Sequence, residues 1–192
     1  YVATGGGAGN WTSAGGWLTG QPCTNSWYGV WCNIRREVTD IVIQESNGLH
    51  GTLPSQLGGP LGLTGGLALT SQSLVGTIPT QLGRLSQIEV AFMLYSNSLT
   101  GAIPPQIGRL SQIEVAFMLF SNSLTGAIPT QIGRLSAVEG DFDLSSNRLT
   151  GAIPTQIGQL SRLHTQLFLH SNDLSGTLPS QLGRLSTVRQ LL

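Results

Sequence analysis

The chain contains no lysine. Its nine basic residues are all arginine, and nine acidic residues cancel them. Charged residues make up 9% of the whole, against roughly 25% in an ordinary soluble domain. A neutral, charge-poor surface argues against nucleic acid as a partner, because phosphate contacts draw on concentrated positive charge. It argues equally against a polybasic membrane anchor, so no direct membrane contact is expected. No run of residues is long and apolar enough to span a bilayer, and no leader segment is recognisable. A start at Tyr1 reads as a chain whose leader was removed or trimmed. Cysteine is limited to two residues.

Glycine is abundant instead, at 26 of 192 residues. The glycines keep a 25-residue period: Gly51, Gly76, Gly101, Gly126, Gly151 and Gly176. Proline follows each three residues later, from Pro54 to Pro179, and leucine precedes each by two, from Leu49 to Leu174. Four residues before each glycine stands a side-chain amide: Asn47, Gln72, Asn97, Asn122, Asn147 and Asn172. A second glycine falls seven residues after the first, at Gly58, Gly83, Gly108, Gly133, Gly158 and Gly183. A period of this length held in register over six copies specifies a solenoid. Two copies, 86–110 and 111–135, differ only at Tyr95/Phe120 and Pro105/Thr130, the mark of an internal duplication.

Each unit has a physical reading. Phe92 and Leu94, Phe117 and Leu119, Phe142 and Leu144, and Leu167 and Leu169 alternate at period two, which predicts a short strand with one buried face. The amide ends the strand, where its side chain bonds backbone groups of the turn and the neighbouring rung; losing one strands polar groups at about 1–3 kcal/mol each. The following Leu-x-Gly-x-Ile/Leu-Pro stretch turns the chain, with glycine supplying unusual dihedrals or close approach and proline an extended exit. From proline to the next leucine the stretch is too short for a full helix, and a 3₁₀ turn is expected.

These motifs resemble the plant-type leucine-rich repeat, whose signature is L-x-x-L-x-L-x-x-N-x-L-x-G-x-I-P; Leu-Thr-Gly-Ala-Ile-Pro occurs verbatim at 99–104, 124–129 and 149–154. The resemblance implies an α/β repeat solenoid, a horseshoe with a parallel β-sheet on its concave face and short 3₁₀ or helical turns on its convex face. Residues 36–192 would hold about six repeats and a partial last one, without a C-terminal cap. Residues 1–35 hold all four tryptophans and both cysteines. The run Pro22-Cys23 to Trp31-Cys32 resembles the N-terminal cap of extracellular plant-type repeat proteins, which implies a Cys23–Cys32 disulfide and an oxidising compartment; two reduced structural thiols are the alternative. Asn10-Trp11-Thr12 is a glycosylation acceptor triplet.

The chain departs from the family pattern twice. Its units run one residue long, at Ile88 to Phe92, Ile113 to Phe117 and Leu163 to Leu167, predicting a small bulge where each strand begins. In the first unit the spare residue falls between Ile43 and Asn47. Gln72 stands in an asparagine slot, where its extra length is expected to distort one rung.

Residues alternating with the buried ones point outward from the sheet. The candidate ligand-binding face comprises Met93, Tyr95, Met118, Phe120, Asp141, Asp143, Phe168 and His170. Contiguous exposed apolar residues mark interaction sites, and methionine makes such a surface adaptable. The alternative is a register shifted by one, which would place these residues in the core. Catalysis is not expected: Asp141, Asp143 and His170 share a side, but an open sheet offers neither a cleft nor tuned ionisation. His50, His164 and His170 share no metal-ligand spacing, and no phosphate loop is present, so neither metal nor cofactor is expected. Hydroxyl rows on the opposite flank (Thr100, Thr125, Thr150, Ser175; Thr80, Thr130, Thr155, Ser180) follow the family consensus and also resemble an ice-binding surface. Arg84, Arg109, Arg134 and Arg184 recur at one point of the coil, with Glu89, Glu114 and Glu139 five residues on, which reads as mutual balance. The apolar last unit predicts a longer parent chain or end-to-end association. Together these features predict an extracellular or secreted module, or a receptor ectodomain, that binds a protein, peptide or glycan, with a self-associating structural scaffold as the alternative.

Overall fold

The computed structural model describes residues 21–44, 47–59 and 62–191. The acceptor triplet at Asn10 and two of the tryptophans, Trp11 and Trp17, lie outside the described residues.

Each 25-residue unit lays down one turn of a coil with three parts: a strand of a first sheet, a strand of a second sheet, and a 3₁₀ turn. The first sheet has eight strands in the order Val30–Cys32, Val38–Ile43, Gly66–Leu69, Ala91–Met93, Ala116–Met118, Asp141–Asp143, Gln166–Phe168 and Gln190–Leu191. Its first pair is antiparallel and every later pair is parallel. The repeat signature did not disclose the second sheet. Its six parallel strands run through the Leu-x-Gly segments, among them Ser73–Thr77, Ser98–Ala102 and Ser123–Ala127. The 3₁₀ turns follow each proline, as in Thr80–Arg84, Pro105–Arg109 and Thr130–Arg134.

The core is one continuous stack. Phe92, Phe117 and Phe142 are wholly buried, and their rings pack face to face with centroids 5.7 and 5.3 Å apart. Leu94, Leu119 and Leu144 form the next buried row, and Ile88, Ile113, Val138 and Leu163 anchor the approach to each strand. The alternation therefore holds in the expected register, not the shifted one. Pairing is one unit apart, with Ala68 opposite Met93 (93 − 68 = 25). In the first unit Ile43 lies opposite Leu69 (69 − 43 = 26), so the spare residue follows that strand; residues 45 and 46 themselves are outside the described set.

In the later units the spare residue is the one at Val90 and Val115. Successive N–H groups there donate to the previous rung, Glu114 to Glu89 at 2.7 Å and Val115 to Val90 at 2.9 Å. The extra position turns its side chain outward, leaving Val90 and Val115 about half exposed.

The amides run as a ladder. In Asn122, Oδ1 accepts from the Leu99 N–H of the preceding rung, while Nδ2 donates to the carbonyls of Leu94, Leu119 and Phe120. Asn97, Asn147 and Asn172 repeat the arrangement. Gln72 uses its extra length to bridge: Oε1 accepts from both Asn47 and Leu49 N–H groups at 3.1 Å, and Nε2 donates to Thr70. Its rung stays in parallel pairing with the rungs on both sides, the first-unit offset aside, which is accommodation rather than distortion.

Cys23 and Cys32 are joined by a disulfide. It closes the turn before the Val30–Cys32 strand, which pairs antiparallel with Val38–Ile43 and covers the first edge of the sheet. This is how a cap shields the apolar end of a solenoid.

Candidate ligand-binding face of the first sheet

The outer face of the first sheet is built from three rows that cross the rungs. The first runs Gly66, Ala91, Ala116, Asp141, Gln166, and the second Ala68, Met93, Met118, Asp143, Phe168. The third runs Thr70, Tyr95, Phe120, Ser145, His170, each rung joined to the next through the serine that follows. Those serines, Ser71, Ser96, Ser121, Ser146 and Ser171, hold left-handed backbone with φ between +52° and +56°. They set the bend that ends the face, and nothing in the sequence pattern flagged them.

The eight candidate residues sit on adjacent rungs. Met93, Tyr95, Met118, Phe120, Asp141, Asp143 and Phe168 are partly exposed, and His170 is exposed. Tyr95 and Phe120 stack with centroids 4.4 Å apart and planes 8° from parallel, giving a flat aromatic ledge beside the two methionines. On the far side of the aspartate rung, Phe168 meets His170 at 5.4 Å in a tilted arrangement. Between these apolar groups Asp143 accepts a hydrogen bond from the Ser145 N–H at 2.8 Å, so it fixes the local backbone as well as presenting charge. The small side chains of the face, Ala68, Thr70, Ala91, Ala116 and Ser145, are buried among their larger neighbours. The Thr70 hydroxyl is buried without a hydrogen-bond partner.

One aromatic belongs with this face that its place in the cap sequence had hidden. Trp31 lies opposite Asp40 in the antiparallel pair, and directly opposed residues project to the same side of a sheet. Trp31 is 64% exposed. It extends the face beyond the Asp40 rung, where Asp40 accepts from the Gly66 N–H at 2.7 Å. The antiparallel hairpin that brings it there has no signature in the repeat period.

Other predicted positions fall elsewhere. Thr100, Thr125 and Thr150 are exposed on the second sheet and Ser175 is exposed just past its last strand; the Thr100 hydroxyl donates to the Gly76 carbonyl of the rung before. The arginine and glutamate rows do not balance each other. Among the described residues the only ion pair joins Arg162 to Glu139 one rung away, because the five-residue offset carries the two rows to different corners of the coil. Among the described residues no three histidine, cysteine, aspartate or glutamate side chains converge as a metal site would require, and no helix is long and apolar enough to cross a membrane.

Comparison with known proteins gives the same architecture. The Leucine Rich Repeat family model matches residues 141–160, and a search of curated protein sequences returned no match. Among solved structures, the Arabidopsis receptor kinase HAESA, in complex with the peptide hormone IDA and the co-receptor SERK1, superposes with a TM-score of 0.82 at 27% identity over 99% of this chain and 31% of its own. The plant peptide hormone receptor RGFR1 in complex with RGF2 gives 0.71 at 34% identity, over 86% of this chain and 25% of its own. The BIR2 ectodomain from Arabidopsis thaliana gives 0.71 at 28% identity, over 88% of both chains. The chain thus spans about a quarter to a third of the peptide-receptor structures that it matches. With its two sheets, amide ladder and disulfide-closed first edge, the chain is a leucine-rich-repeat solenoid similar to the ectodomains of plant receptor kinases.

Proposed function

We propose that this chain is an extracellular recognition module that binds an extended peptide across the outer face of its first sheet. The observation that carries the proposal is the Tyr95–Phe120 ledge beside Met93 and Met118, an apolar strip bordered by the aspartate rung. Such a strip accepts apolar side chains with little ordering cost, since aromatic rings move about few torsions and methionine adapts. Asp141 adds a charge that favours a basic residue further along the peptide. The reading draws support from the peptide hormones held by HAESA and RGFR1. An extracellular place fits the disulfide, because such bonds persist in oxidising compartments. Recognition rather than catalysis is the activity an open sheet offers, and we assign the capped N-terminal region (1–35) and the repeats (36–192) to cap and binding surface.

A displayed random-peptide library provides the test. Enriched peptides should combine apolar or aromatic residues with a basic one. The variant Met118→Ser/Phe120→Ser should lose at least tenfold in affinity, and Asp141→Asn should weaken the basic peptides selectively. Melting temperatures should stay within a few degrees of wild type, because these side chains are already partly in water. Unchanged affinity in the double variant would remove the strip from the binding site. Wholesale unfolding would show that these residues belong to the core.

A further inference from the structure

Asp40 and Asp141 stand at the two ends of one row. Asp40 precedes Ile41, which pairs with Leu67, so it lies opposite Gly66; the row then runs through Ala91 and Ala116 to Asp141. Four rung steps separate the aspartates, about 19 Å at a strand spacing of about 4.8 Å. Between them Ala91 and Ala116 are buried although they face outward, and the longer side chains of Met93 and Met118 stay partly exposed beside them. Among the described residues neither aspartate has a basic partner. Gly65 makes room for the first of them. A Cβ there would overlap the Asp40 carboxylate, and the next two units carry Val90 and Val115 at this position. The Gly66 N–H holds the carboxylate in that space at 2.7 Å. Trp31, directly opposed to Asp40 and 64% exposed, brings an aromatic ring to the same side.

On the reading that this face binds a peptide, we infer that the peptide carries two basic residues six positions apart, an arginine held between Trp31 and Asp40 and a second cation at Asp141. The span between the aspartates selects the separation. An extended chain advances about 3.3 Å per residue and returns a side chain to the same side every second residue, so six residues cover about 20 Å with both side chains on the sheet. A polyproline II chain advances about 3.1 Å with three residues per turn, so six residues cover about 19 Å, again with both on one side. Separations of five and seven turn the second side chain away from the sheet in both conformations. In an extended chain, four and eight miss the span by about 6–7 Å. Arginine suits the Trp31 end, because a guanidinium stacks on the indole and still presents its N–H fork to the carboxylate. The residues between the two cations lie over Ala91 and Ala116, with apolar side chains against Met93, Met118 and the Tyr95–Phe120 ledge. A linear polyamine would match the charges but leave that ledge bare.

A displayed peptide library with two arginines fixed at separations of three to nine, and every other position random, tests the spacing against the whole chain. Separation six should dominate the enriched clones. A synthetic peptide of the commonest enriched sequence should lose about tenfold in affinity on Trp31→Ala, on Asp40→Asn and on Asp141→Asn. Folding should survive each change: asparagine keeps an acceptor for the Gly66 N–H, and Trp31 and Asp141 are already partly in water. Enrichment with no preference for six, or undiminished binding by Trp31→Ala and Asp40→Asn, would overturn the paired cations while leaving peptide binding in place. No enrichment at any separation would overturn them together with the peptide reading. Spermine bound as tightly as the six-spaced peptide would overturn the peptide in favour of a polyamine.

Discussion

Two sets of glycines repeat at the same period for different reasons. Gly126 has φ near +77°, a left-handed conformation, and a Cβ built there would meet only the Ala102 methyl at 3.6 Å. Gly133 has ordinary dihedrals, but its Cβ would fall 2.4 Å from the Gln156 carbonyl oxygen of the next rung. Gly126→Ala should therefore cost about 1–2 kcal/mol, the penalty of left-handed backbone for an L-residue. Gly133→Ala forces rungs apart against backbone and should cost about 3 kcal/mol, the upper end of overpacking effects. Chemical denaturation of the two variants checks the order; equal losses would mean that the close approach relaxes freely. The spacing revealed both sets but assigned neither cause, because dihedral and contact are properties of the coil and not of the period.

At the scale of the element, the amide ladder is what turns one strand into the next. Asn147 is buried and serves four backbone groups on two rungs: the Leu124 N–H, and the carbonyls of Leu119, Leu144 and Ser145. Asn147→Ala leaves the Leu124 N–H and Leu119 carbonyl stranded and should cost at least about 2 kcal/mol, from roughly 1–3 kcal/mol for each buried unsatisfied group. A melting curve unchanged from wild type would show that water replaces the amide. Gln72 shows why slot identity alone misleads: a longer amide was expected to disturb its rung, yet it reaches two N–H groups of the preceding turn. The one-residue excess was legible from the period, but the expected bulge is not seen, because every later rung carries the same extra residue and the strands still pair in regular register. The outcome of the excess, a half-exposed valine ahead of two strands, at Val90 and Val115, depends on which way the extra residue turns.

Over the whole molecule, each rung packs on the rungs immediately before and after it, so stability is a sum of neighbour interfaces along one axis. The two ends differ. The first edge is covered by the disulfide-closed hairpin, whereas the last strand of each sheet, Asp173–Leu174 of the second and Gln190–Leu191 of the first, is two residues long and largely exposed. Hydrogen exchange should find greatest protection between Phe92 and Leu169 and least after Leu174, since opening follows low local burial. Uniform protection would mean that the coil opens only as a unit. The sequence alone determined the period, the buried alternation and the amide positions, because each is a local requirement that every rung must meet in the same way. Only the tertiary structure decided that a second sheet runs through the Leu-x-Gly segments, that Trp31 joins the outer face of the first sheet, and that among the described residues the arginines of the 3₁₀ turns form no ion pairs with the glutamate row. Those outcomes rest on which rung lies beside which, and on the corner of the coil to which a five-residue offset carries a charge.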